Sequence, residues 1–118
     1  MCSGVSCQSN FSKKRGKMII TYITCKNKSE AEKIANHLLK NKLIACANIF
    51  PINSLYKWKG KLQKDKEYVL LAKTIKSKAK EVEKEVKKIH SYDIPCIIKK
   101  EVTANKEYMG WIKNEVKK

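Results

Sequence analysis

IACANIFPINSLYKWKGKLQKDKEYVLLAKTI, residues 44–75, is the stretch on which the fold turns. Its first part, IACANIFPINSLYKW, is rich in β-branched and aromatic residues and reads as an extended segment. Pro51 lies inside it. Proline has no N–H to give to a ladder, so this point predicts an edge strand, a bulge or a bend. Residues 57–65 gather lysines around Gly60 and predict a hairpin loop, after which EYVLLAKTI returns as a strand. Strands in small sheets usually run about five or six residues, so this hairpin is longer than a small sheet needs. Its outer half, SLYKWKG, carries Tyr56 and Trp58 away from any core the domain can build. Exposed aromatics and free strand edges on such an arm predict a partner surface. Copies of the same chain, capping one another's edges, supply it most simply.

Working outward, MIITYITC from Met18 is a strand. Ser29 opens SEAE, with Glu32 three residues on, a capping-box pattern that predicts a helix start. Ala31, Ile34, Ala35 and Leu38 follow at helical spacing and fade near Asn41 and Lys42. SKAKEVEKEVKKIH is a second helix with Ala79, Val82, Val86 and Ile89 on one stripe. After Pro95, CIIKKEV is a short strand. Asn105 begins a last helix whose Tyr108, Trp111, Ile112 and Val116 are read as sharing a face. The order β-α-β-β-α-β plus a terminal helix is the split βαβ arrangement of ferredoxin-like folds, an α+β antiparallel sheet with its helices on one face.

The chain of 118 residues has room for one domain. Residues 1–17 are polar, small and basic, with almost nothing to bury, and predict a disordered extension preceding a domain over 18–118. No run of eighteen apolar residues predicts a membrane span, and the start lacks the apolar core of a secretory signal, so a cytoplasmic protein is expected. Five cysteines, an odd number without a CxxC pair, predict reduced thiols rather than a disulfide framework. The net charge is +16, from 27 Lys and Arg against 11 Asp and Glu. Only Arg15 is an arginine, whereas base reading and bidentate phosphate recognition favour that side chain. The lysines are spread through every segment, so no specific nucleic-acid partner is expected.

Four stretches, LIACANIFPINSLYKWKGK, EYVLLAKT, HSYDIPCII and NKEYMGWI, come in an order and spacing that resembles the CutA family of divalent-cation tolerance proteins. The resemblance runs from about Met18 to Lys117. It implies a ferredoxin-like protomer in a compact homotrimer, its hairpin arms packing into neighbouring sheets. It implies tolerance of copper and other divalent metals and an architecture similar to the PII signalling proteins; it implies no enzymatic activity. Cys46 matches a cysteine typical of the family. Where the family usually has HPYE and VPE, this chain has HSYD and IPC, so Ser91, Asp93 and Cys96 are departures. Cys2 and Cys7 have no counterpart in the pattern.

HSYDIPCI, residues 90–97, holds the chemistry most worth testing. His90 ends the second helix and offers an imidazole. Asp93 is placed to orient that ring as carboxylates do for metal-bound histidines, and Cys96 adds a thiolate suited to Cu(I) or Zn. Three such groups do not make a closed four-ligand site, so a weak, exchangeable copper or zinc site at His90, Asp93 and Cys96 is predicted, with Cys46 joining if the fold brings it near. The bland reading makes His90 a helix end, Pro95 a turn and Cys96 a small buried hydrophobe. His37 is assigned to the surface or to packing rather than ligation, and nothing near Cys25 in sequence gives it a chemical role. No oxyanion hole or phosphate-cradling glycine loop accompanies these residues, so no catalytic residue and no required cofactor are expected. Tyr56, Trp58 and Trp111 are the candidates for the trimer interface. A PII-like interaction module without a physiological metal is the alternative.

Overall fold

A computed structural model describes residues 17–116; the basic extension up to residue 16, with Cys2 and Cys7, lies outside the described residues. Seven main elements follow in order: β1 (Met18–Cys25), α1 (Lys28–Lys40), β2 (Cys46–Trp58), β3 (Lys61–Ile75), α2 (Ala79–Ile89), β4 (Ile97–Val102) and α3 (Lys106–Val116). The strands form one sheet in the order β2-β3-β1-β4, every neighbouring pair antiparallel. That is the ferredoxin-like order expected for a β-α-β-β-α-β chain. No described helix is long and apolar enough to cross a membrane.

Strand alternation explains the core. Ile23 and Cys25 on β1 share a sheet face with Leu70 and Ala72 on β3, and α1 and α2 cover that face with Ile34, Leu38, Val82 and Val86. The third helix packs elsewhere. Its Ile112 and Val116 close over Ala45 beside Ile75, and its Tyr108 reaches Lys73, which points to the other sheet face. The stripe it buries is Met109, Ile112 and Val116. Trp111, read as part of that stripe, stays 44% exposed and stacks on Tyr108. At 100° per residue the pair 108 and 111 falls on the flank of the line through 109, 112 and 116.

Two sequence expectations move. The first helix starts earlier than SEAE implies, because Asn27 is the N-cap: its side chain accepts from the Glu30 N–H at 2.8 Å. Glu30, not Glu32, is the acidic partner, and its carboxylate turns back to the Lys26 N–H at 2.9 Å. Both Asn27 and Ser29 are good caps, and only tertiary packing chooses between them. The second change is in the hairpin. Residues 57–65 are not a loop, since β2 and β3 stay paired out to Trp58 and Lys61. The turn is Lys59-Gly60 alone, with φ of 52° and 79°. A two-residue hairpin with positive φ at both positions matches the twist of its strands. Pro51 sits opposite Tyr68 in β2, which is an edge strand, as its missing donor requires.

The arm extends the molecule to 56 Å along its longest axis, against 31 and 20 Å across. Lysine is a poor choice for the left-handed position at 59, where Asn is tolerated. Lys59→Asn is therefore expected to stabilise the protein by about 1 kcal/mol, read as a raised denaturant midpoint at unchanged slope.

Candidate functional site

The end of α2 delivers His90 into the junction between β1 and the start of α1. The His90 ring is fully buried. Its Nε2–H donates to the Thr24 carbonyl at 2.7 Å, and its Nδ1 accepts from the Tyr92 N–H at 3.1 Å. Those two bonds fix the tautomer and leave Nδ1 as the nitrogen whose lone pair is tied only by a long bond. Glu30 stands 3.9 Å from Nδ1 and accepts from the Ser91 N–H at 2.9 Å. The third neighbour is Cys25, the last residue of β1, fully buried. The ligating atoms of Cys25, Glu30 and His90 all lie within 4.8 Å of one another, the group of three or more that forms among the described residues.

Burial sets the electrostatics of this cluster. It pushes the Cys25 thiol up to about 12, with the negative charges of Glu30 and Glu67 acting in the same direction. Burial acts upward on Glu30 as well, but hydrogen bonds from Ser91 and from the Lys26 N–H outweigh it and hold the carboxyl below its ordinary value. A thiol, a carboxylate and an imidazole together suit borderline and soft divalent ions. Zinc–sulfur and zinc–nitrogen bonds of about 2.3 and 2.0 Å put two ligands of one tetrahedral ion about 3.5 Å apart. The cluster takes a metal after a contraction of up to about 1.3 Å and release of the Tyr92 N–H from Nδ1.

The other predicted ligands go elsewhere. None of Asp93, Cys96 and Cys46 joins a group of three or more ligating atoms with His90 among the described residues. Pairing explains why for Cys96: it faces Thr24 across the β1–β4 ladder, accepting from the Thr24 N–H at 3.4 Å, so its side chain falls on the face opposite Cys25. Cys46 opens β2 opposite Lys73, whereas Cys25 ends β1 opposite Tyr68, about 16 Å away along β3 at strand rise. Asp93 and Cys96 instead line an open cleft of about 810 Å³ between the hairpin arm and the loop after α2. The Tyr92 hydroxyl ties that loop to the arm by donating to Glu67 at 2.6 Å. Burial and this bond hold the Tyr92 hydroxyl protonated well above its usual range. His37, assigned to the surface or to packing, pairs with Glu85 of α2 at 2.9 Å.

His90, a candidate in the sequence, is part of this cluster, whereas Glu30 and Cys25 are not among the sequence candidates. Glu30 lies within SEAE, where Glu32 reads as the capping partner, and Cys25 is brought to His90 only by the fold. A usable signal existed in the periodicity: Cys25 has the parity of Ile23, which points it into the core.

Comparison with known proteins converges on one group. Residues 19–115 match the family model described as CutA1 divalent ion tolerance protein. The divalent-cation tolerance protein CutA of Archaeoglobus fulgidus is 45% identical over 96 residues, 80% of this chain and 94% of that protein. The protein of the same description from Pyrococcus horikoshii is 40% identical over 102 residues, 86% of this chain and all of the relative. The solved Archaeoglobus fulgidus structure, described as a periplasmic divalent cation tolerance protein, superposes with a TM-score of 0.82 at 42% identity, covering 85% of this chain and 99% of that one.

Proposed function

The chain belongs to the CutA1 divalent ion tolerance family, and from that premise we propose that it is a non-enzymatic homotrimer that binds copper or zinc weakly at Cys25, Glu30 and His90. The observation that carries the proposal is the convergence of a thiol, a carboxylate and an imidazole within 4.8 Å in the core. A cation there relieves the negative charge that Glu30 and Glu67 impose on Cys25. It must also displace the thiol proton, break the Tyr92 N–H bond and draw the ligands inward, which keeps the affinity low and the ion exchangeable.

Calorimetric titration of Cu²⁺ and Zn²⁺ into the wild-type protein, His90→Ala and Cys25→Ser tests this reading. Loss of a supporting partner at a metal site costs about 10–100-fold in affinity, and loss of a ligand is expected to cost at least as much. Equal heats in all three proteins contradict the site. The sign of the pH dependence follows from the thiol. It is protonated at neutral pH, so binding releases a proton and apparent affinity rises as pH is raised, by about tenfold per unit for one proton.

Trimer formation is proposed from the arm and its edge. The outer edge of β2 is unpaired in the protomer, and Leu55 and Leu62 are 67% and 61% exposed on the arm face opposite Tyr56. Trp111 remains a candidate at the same association surface, with Tyr56 and Trp58 at its border. A second reading, a PII-like signalling module whose cleft takes a small ligand, is favoured by the cleft between arm and loop.

A further inference from the structure

The cleft stands out by charge. The chain carries 27 cations and 11 acids, yet among the described residues no lysine or arginine lines this cleft, while Asp65, Glu67 and Asp93 do. Strand alternation sorts most of them: Tyr56, Asp65 and Glu67 lie on one face of the arm, with Lys61 at its tip, and Lys57, Lys64 and Lys66 lie on the other. Three aromatic rings, Tyr56, Trp58 and Tyr92, complete the wall. Two of the carboxylates are held in place, Asp65 by the Tyr56 hydroxyl and Glu67 by the Tyr92 hydroxyl. Both bonds leave the rings as walls and direct the hydroxyl hydrogens away from a ligand.

We propose that this cleft binds an organic ammonium ion, a primary or methylated amine on an alkyl chain. Aromatic faces attract such cations through the ring quadrupole, and carboxylates supply the counter-charge. The alkyl chain gains from the apolar part of the wall, and the cleft volume lies in the range of small-molecule sites. Among the described lining residues an anion meets three carboxylates and no cation. A bare metal ion is less well served, because these carboxylates do not converge as a ligand group. The inference goes beyond the metal site at Cys25 and does not rest on it.

Trp58 reports on the cleft, and Trp111→Phe removes the other tryptophan. In that full-length protein, spermidine and tetramethylammonium are titrated at fixed ionic strength while tryptophan emission is followed, with magnesium chloride as a parallel titrant. Both amines are expected to shift Trp58 emission saturably, and Asp65→Asn with Glu67→Gln to weaken each by about tenfold or more. Magnesium is expected to compete poorly. No saturable change, equal affinity in the carboxamide variant, or equal competition by magnesium overturns the proposal. So does emission that responds to protein dilution but not to amine, which assigns the cleft to a neighbouring copy.

Discussion

Glu30→Ala is expected to destabilise the protein by about 3 kcal/mol, the cost of taking the acceptor from two part-buried backbone N–H groups at once. Glu30 is 7% exposed and is the acceptor for the Lys26 and Ser91 N–H groups. One bond holds the start of α1 to the end of β1; the other holds the loop after α2 against both. Alanine satisfies neither donor. For a domain of about 100 residues, 3 kcal/mol lowers the thermal midpoint by roughly 12 to 24 °C. The effect is also pH-dependent. The folded-state pKa of Glu30 is lowered, so the unfolded chain binds its proton more readily than the native one. The carboxylate's contribution is present above the ordinary carboxyl range and is lost as pH falls through the folded value. Glu30→Gln keeps an acceptor without that titration. The stability gap between wild type and Glu30→Gln is therefore expected to close in acid, and a gap constant with pH contradicts the assignment.

Replacing Leu55 and Leu62 together by glutamate is expected to disperse the proposed trimer. Burying one leucine fully is worth about 1.5–3 kcal/mol, so losing two at each contact weakens association by roughly a thousandfold, before the added charge repulsion. Sedimentation of the wild-type protein is expected at three times the 13.6 kDa chain mass, and of the double variant at one. A wild-type monomer contradicts the assembly; a trimeric double variant moves the interface off this face of the arm.

What could be read from the sequence depended on how far each contact reaches along the chain. β1 was legible to the residue, because MIITYITC is apolar, β-branched and uninterrupted. The end of α1 at Asn41 was equally plain. The arm was harder. Its outer pairs, such as Leu55 with Lys64 and Lys57 with Leu62, alternate no apolar face toward a core, so lysines disguised a strand as a loop. At the site, His90 was visible as the residue ending a helix. Its neighbours in sequence, Asp93 and Cys96, line the cleft beside the arm instead, Asp93 from the bend after α2 and Cys96 from just before β4. Its neighbours in space, Glu30 and Cys25, lie about sixty residues earlier and become visible only once β1 and β4 pair.

The most direct test of the metal assignment is zinc K-edge absorption spectroscopy on the full-length protein loaded with one equivalent. The account predicts a sulfur neighbour at about 2.3 Å that survives Cys46→Ser and Cys96→Ser and disappears in Cys25→Ser. A shell of nitrogen and oxygen alone, or a sulfur signal unchanged by Cys25→Ser, contradicts it.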